Sequence, residues 1–330
     1  MDMRSMSLVF HLVCLLLGSA VYASQSHPDS YRTGSFHDVR VPMESGNGAT
    51  LLMGGGADVD EAFVRVRSHF GTRVDVVVLR SNGGSGYNDY LYQLMAANSV
   101  TTLIIDTVDK ANSDITRRAL EGAEFVFIAG GDQSRYIESW RGTQVQRLLK
   151  DLIERGGVVG GTSAGISIVT GIAYDPGRRS AAVSDEVVRD YCHPSLRFSD
   201  GLATVRVTEK IIGDSHFFER DRMGRLLTFI ARNFSKQPFG VGVSEATALF
   251  VESDGQSEVF GRYEVYVLDA SEGRRQQVSC RREVVFDQVK RVKLTAGQRF
   301  HFGTGKTDGS SLILGVDGRK SDFYLPTNPY

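Results

Sequence analysis

The 330-residue chain reads as an α/β protein with a doubly wound, mostly parallel sheet and a strand-rich C-terminal section. Three observations carry that reading. Short unbroken apolar runs at 74–79 and 125–128 have the Val- and Phe-rich character of strands buried on both faces. They alternate with segments of helical period. Glycine-rich turns follow the runs, at the C-terminal edge of the sheet where open α/β folds bind ligands.

Composition narrows the possibilities. With 41% hydrophobic residues the chain can bury a sizeable core. Its 38 basic and 39 acidic side chains leave a formal charge of -1 without a long single-sign block, which excludes a nucleic-acid binder of the usual electrostatic kind. The N-terminus has the order of an export signal: Arg4, an uncharged run over 7–17 too short to span a bilayer, then Val21-Tyr22-Ala23 as a cleavage site. The expected mature protein starts near Ser24 and is exported, periplasmic or extracellular, with no membrane attachment after cleavage. Cys192 and Cys280 remain in it, and an oxidising compartment allows but does not require their pairing. No C-x-x-C or H-E-x-x-H occurs, so no metal site is expected, and no cofactor is called for.

The elements follow in order. Residues 24–48 are polar and aperiodic and read as a flexible arm, leaving a single α/β hydrolase domain at 49–330. A strand at 50–53 ends in Gly54-Gly55-Gly56, and Asp58, with Glu61 three later, is placed to cap the next helix. Val59, Ala62, Phe63, Val66 and Phe70 give that helix one apolar face. After strand 74–79 come a long polar loop at 81–87, a helix from Asp89, a strand at 102–105, a helix at 114–123 and strand 125–128. The turn Gly130-Gly131-Asp132-Gln133 opens a long helix ending near Glu154. Residues 173–199, with Pro176, Gly177 and Pro194, read as an insertion or long loop. A strand at 205–212 leads into Asp214-Ser215-His216. The helix behind it buries Met223, Leu226, Leu227, Ile230 and Phe234, with Arg222 and Arg225 on another face. Residues 240–244 and 248–252 read as paired strands, with further strands from 263 to 304. Asn233-Phe234-Ser235 matches a glycosylation sequon inside that helical segment.

Chemistry concentrates around Gly161-Thr162-Ser163-Ala164-Gly165, a G-x-S-x-G pattern after the apolar pair Val158-Val159. A serine on a sharp strand-to-helix turn needs minimal side chains two residues to either side, which Gly161 and Gly165 supply. Phosphate-loop readings fail on detail: the spacing from Gly156 to Gly161 suits a Walker loop, but Thr162 stands where lysine is needed, and Val59 occupies the last glycine of G-x-G-x-x-G. Among the histidines of the mature chain, His216 follows a strand and should emerge at the same sheet edge as Ser163. A carboxylate fixing its tautomer would come from 173–199: Glu186 or Asp185, with Asp175 a further candidate, in the Ser, acid, His order of α/β hydrolases. Backbone N–H groups of Gly131, Asp132 and Ala164 are placed to form an oxyanion hole.

Taken together, Gly54-Gly55-Gly56 with Asp58 and Ala62-Phe63, Gly130-Gly131-Asp132-Gln133, Gly161 to Gly165, and the block Asp214, His216-Phe217, Arg220, Arg222 and Gly224-Arg225-Leu226 resemble the cyanophycinase family of serine peptidases. Val241-Gly242-Val243 with Glu245-Ala246-Thr247-Ala248 resembles the family's next segment, and the likeness runs from about Gly54 to Gly305. The resemblance implies a fold like that of class I glutamine amidotransferases, with serine replacing their cysteine nucleophile. It implies hydrolysis of cyanophycin, a polyaspartate bearing arginine on each side chain, to β-Asp-Arg dipeptides. Carried over, Ser163 is the nucleophile, His216 the base and Gln133 a site residue, with Asp214, Arg220, Arg222 and Arg225 in the substrate pocket. The interval from Ser163 to His216 is longer than in cytoplasmic members, which leaves the acid open; Glu186 is the choice. Another aspartyl peptide as substrate, a non-catalytic exported binding protein of this fold, and a homodimer remain alternatives for activity and assembly.

Overall fold

The computed structural model describes residues 26–39, 41–177, 179–236 and 238–330. The expected signal at 1–23 lies outside the described residues. The first half of the chain runs β1 (Asp29–Gly34), β2 (Ala49–Met53), α1 (Asp60–Phe70), β3 (Asp75–Arg80), α2 (Asn88–Leu94), β4 (Ser99–Ile104), α3 (Val108–Ala111), α4 (Asp114–Glu121), β5 (Phe125–Ile128), α5 (Gln133–Trp140), α6 (Gln144–Glu154), β6 (Val158–Thr162) and α7 (Ile166–Val169). There follow β7 (Ile172–Tyr174), α8 (Ser184–Arg189), β8 (Phe198–Asp200), β9 (Ile211–Asp214), α9 (Met223–Arg232), β10 (Phe239–Val243), β11 (Thr247–Glu252), β12 (Gln256–Gly261) and β13 (Val265–Asp269). The chain ends through β14 (Arg274–Gln277), β15 (Val285–Leu294), β16 (Arg299–His301), β17 (Ser310–Asp317) and β18 (Tyr324–Leu325).

These strands build two large sheets. The first has the order β1-β4-β3-β5-β6-β2-β11-β12-β16. Its central strands, β4 to β2, are mutually parallel and its outer ones antiparallel. The second, β18-β17-β15-β13-β10-β9, is antiparallel except where β9 and β10 run side by side in the same direction. Alternation along β2 and β3 sends Leu52, Val77 and Leu79 into one core, shared with α5, α6 and Val241, Val265 and Val267 of the second sheet. Leu51, Met53, Val76 and Val78 pack on the opposite face with Phe63, Val66 and Leu91 of α1 and α2. A third core lies between α9 and the outer face of the second sheet. The fold is thus mixed α/β with a mostly parallel central sheet and strand-rich additions.

Several local expectations are corrected. The arm contains β1, which hydrogen-bonds along β4 as an edge strand; its polar sequence suits a strand with little burial. Asp58 makes no cap for α1, and its carboxylate accepts the Tyr87 hydroxyl at 3.1 Å. The long helix is two helices, broken at Gly142, whose φ of 72° lies in the left-handed region that glycine tolerates. Residues 240–244 and 248–252 are not partners: β10 belongs to the second sheet and β11 to the first, so the chain changes sheets between them. Asn233 sits at the C-terminus of α9, where its Nδ2 donates to the Phe229 carbonyl at 2.9 Å.

The 173–199 segment is ordered by packing. β7 pairs with β8, and α8 lies on α9, where Ser184 Oγ accepts the Arg225 N–H at 3.1 Å and donates to the Asp221 carbonyl. A disulfide joins Cys192 to Cys280, 88 residues apart in sequence, and ties this insertion to the second sheet beside the Tyr191 to Arg282 backbone bond. Replacing both cysteines with serine is expected to cost about 3 kcal/mol, a typical disulfide contribution, read as a thermal midpoint several degrees lower than that of the oxidised wild type. An unchanged midpoint would mean that packing alone holds the insertion.

Candidate active site

Ser163 stands at the end of β6, the strand central to the first sheet, where the chain turns into a short 3-10 segment and then α7. Its φ of 53° is left-handed, a conformation that costs a residue with a Cβ of order 1 kcal/mol or more. Close packing maintains it. A Cβ on Gly161 would come within 2.4 Å of the Gly165 carbonyl oxygen, and one on Gly165 within 2.5 Å of the Ile128 carbonyl oxygen. The two flanking glycines are therefore steric requirements of the turn.

His216 leaves the end of β9 in the second sheet with a φ of 44°, and its Nε2 lies 2.8 Å from Ser163 Oγ. Its backbone N–H donates to the Gly54 carbonyl at 2.8 Å. Gly55 lies flat against the ring: with φ at 91°, a Cβ there would stand 2.5 Å from Cε1 and 2.6 Å from Nε2. The triple glycine thus acts as a seat for the imidazole.

The carboxylate on the far side of the ring is Glu245, whose Oε1 lies 2.5 Å from His216 Nδ1. Glu186 does not meet His216; it lies exposed in the first turn of α8. Asp185 is held by Arg189 on the same surface, and Asp175 accepts the Ser134 hydroxyl at 2.6 Å. The expectation fails because α8, which carries both acids, is anchored on α9 with the Asp185 and Glu186 carboxylates turned to the outer surface. Glu245 falls in the sheet-changing segment after β10. β9 and β10 are adjacent and parallel, with Gly242 beside Asp214, so residues just beyond the two strand ends emerge side by side. A strand, helix, strand pattern over 211–243 is the signal that could have found it.

A cavity of about 150 Å³ opens beside Ser163 and His216, lined among others by Gly131, Gln133, Tyr174, Arg220, Arg222 and Arg225. Gln133 reaches it from the first turn of α5, and Ala164 from the turn itself. Neither the Gly131 nor the Asp132 N–H donates to another group among the described residues. The Ala164 N–H, second in its short helix, has no intrahelical acceptor by position.

Three of the expected pocket residues form one buried ionic cluster. Arg225, 4% exposed, donates Nε to Asp214 Oδ2 at 2.7 Å and Nη2 to Oδ1 at 2.5 Å, and Nη1 to the Ala182 carbonyl at 2.8 Å. Arg222, 9% exposed, gives Nη1 to Asp214 Oδ1 at 3.2 Å and to the Ser215 carbonyl at 2.7 Å. Burial brings the Arg222 pKa down to about 10, which leaves it charged at neutral pH. Asp214 is thus a structural anchor for both guanidiniums; losing one partner of such a pair would strand the others, at about 3–5 kcal/mol. With exposed Arg220 at the rim, three cations face one anion, and the cavity carries an excess of positive charge. Burial, and after it the charges of Arg220 and Arg222, hold His216 below the ordinary imidazole pKa against the opposing hydrogen bond from Glu245. The imidazole is neutral at pH 7 and able to accept a proton from Ser163.

Comparison with known proteins agrees with this geometry. The pattern of Peptidase family S51 matches residues 81–259, more than half of the chain. A cyanophycinase of Trichormus variabilis is 26% identical over 278 residues, covering 80% of this chain and 88% of the relative, and a cyanophycinase of Nostoc sp. matches to the same extent. A crystal structure of a peptidase from an acI-B1 Actinobacterium shares the fold with a TM-score of 0.53 at 14% identity, covering 78% of this chain and 98% of that one. A serine, a histidine and a carboxylate in hydrogen-bonded sequence agree with these likenesses: the chain belongs to peptidase family S51 and is a serine-type peptidase.

Proposed function

We propose that this peptidase is exported and hydrolyses cyanophycin, an arginine-decorated polyaspartate, to β-Asp-Arg dipeptides through an acyl-enzyme on Ser163. The observation that carries the chemistry is the Ser163, His216, Glu245 array. Glu245 accepts the Nδ1–H bond, which leaves the Nε2 lone pair facing Ser163. Ser163 Oγ attacks the peptide carbonyl carbon as its proton passes to Nε2. The resulting oxyanion lies against the N–H groups of Gly131 and Ala164, with Asp132 beside them. Collapse breaks the C–N bond while His216 returns the proton to the leaving amine. Water then attacks the ester, His216 takes its proton, and that proton passes back to Ser163 Oγ as the acid product leaves.

Substrate class follows from charge and kinship. The arginine-rich cavity suits a carboxylate next to the scissile bond, with Gln133 as a neutral partner. Cyanophycin presents such groups at every repeat, and the relatives matched over 80% of the chain are cyanophycinases. A fold of the class I glutamine amidotransferase kind belongs to the same proposal, supported by the mixed sheet with the nucleophile at its C-terminal edge. Export is supported by the Cys192 to Cys280 bond, since disulfides persist in oxidising compartments. One observation favours a second reading, cleavage after an undecorated aspartate: about 150 Å³ suits a single short acidic side chain.

Incubating wild-type enzyme with insoluble cyanophycin and with plain α-aspartyl peptides separates the two. Clearing of the polymer with release of dipeptide supports the first reading; turnover of aspartyl peptides alone supports the second. In the same assay Ser163→Ala should abolish turnover, and Glu245→Gln should reduce kcat by about 10⁴-fold, the loss expected when the orienting carboxylate of a triad is neutralised. Glu186→Gln should remain within about twofold of wild type, as surface substitutions do. The acid limb of kcat/KM should lie below the ordinary imidazole value of about 6.5. Arg220→Gln removes a charge that lowers the His216 pKa, so the limb should move to higher pH in that variant. Movement to lower pH, or none, would refute the assigned electrostatics.

A further inference from the structure

We propose that Glu219 is a positioning residue for the triad, tethering the backbone of Glu245 to the loop that carries His216. The inference rests on the Ser163, His216, Glu245 reading above and extends it to a side chain outside the triad. Glu219 lies three residues after His216, and its Oε2 accepts the backbone N–H of Glu245 at 3.1 Å. The contact closes a ring. The chain runs from His216 to Glu219, crosses to the Glu245 backbone, and returns through the Glu245 carboxylate to His216 Nδ1. Base and acid are thereby cross-linked twice, by bonds of different kinds.

Such a tether is needed because packing alone does not fix the acid. The Glu245 side chain is 34% exposed, and it sits in the segment where the chain changes sheets, with no ladder partner among the described residues. A half-buried glutamate keeps part of its rotamer freedom, and ordering it costs entropy. Its neighbour Ala246 has a φ of 48° and gives its N–H to the Gly55 carbonyl at 2.9 Å, so the peptide after Glu245 is held by the triple-glycine turn. The peptide before it is held by Glu219. The function of Glu219 is served by any side chain that offers an acceptor oxygen at the same reach.

The rate at which a fluorophosphonate labels Ser163 tests this without reference to the natural substrate. Glu219 is exposed, so Glu219→Ala and Glu219→Gln should both fold with the wild-type thermal midpoint. Glu219→Ala should label about tenfold more slowly, the scale of one lost hydrogen bond. Glu219→Gln retains the acceptor oxygen and should label within about twofold of wild type. Equal rates for all three proteins would overturn the proposal while leaving the triad intact. Equal slowing of both variants would overturn it in favour of a charge effect. Failure of wild type itself to label at Ser163 would instead overturn the triad and the proposal together.

Discussion

The site depends on backbone packing around Gly54-Gly55-Gly56, where three separated stretches of chain meet. Gly54 and Gly55 present successive carbonyls to the N–H groups of His216 and Ala246, and the Gly54 N–H donates to the Thr247 carbonyl at 2.9 Å. One turn at the end of β2 therefore sets His216 from the second sheet and Glu245 from the sheet-changing segment against each other. Side chains cannot intrude: a Cβ on Gly54 would fall 1.9 Å from the Ser244 carbonyl oxygen, and one on Gly55 would strike the imidazole. The glycines serve close approach of backbone to backbone and of backbone to ring.

The elbow at Ser163 is the complementary half. β2 and β6 are adjacent and parallel, with Met53 beside Thr162, so the triple glycine and the serine leave neighbouring strands at the same edge. Strain at Ser163 and His216, both with left-handed φ, is tolerated because rigid strands and close glycine contacts over-determine each position. The cationic cavity is built by a different device, a buried aspartate that holds two arginines in place and leaves a third at the rim. The Ser163, His216, Glu245 array and the arginine-lined cavity therefore rest on separate networks that meet at His216, whose proton affinity is lowered by burial and by Arg220 and Arg222 and raised by Glu245.

Much of this was legible in the amino-acid sequence, for reasons that differ by residue. The parallel strands were visible because burial on both faces leaves unbroken runs such as Phe125-Val126-Phe127-Ile128. Ser163 was visible because its turn demands glycines at fixed local offsets, and His216 because it directly follows a strand. Glu245 was hidden because its role is non-local: reading 240–252 as a hairpin makes it a turn residue, whereas the chain there passes from one sheet to the other. The Ser, acid, His order borrowed from α/β hydrolases then pointed to Glu186, although the carboxylate that meets His216 follows it in the chain. β1 was hidden for a related reason, since an edge strand with little burial keeps the polar composition of a coil. Arg222 and Arg225 were visible as chemistry, but their anchoring on Asp214 depends on tertiary contacts that spacing does not encode.

Whether Glu245 or an acid of the insertion completes the array can be read from proton NMR of the His216 Nδ1–H. A ring N–H shared with a carboxylate resonates far downfield and exchanges slowly enough to be seen. Such a resonance is expected in the wild-type protein, lost in His216→Ala and Glu245→Gln and unchanged in Glu186→Gln. Its persistence in Glu245→Gln, or its loss in Glu186→Gln, would show that Glu245 is not the partner of His216.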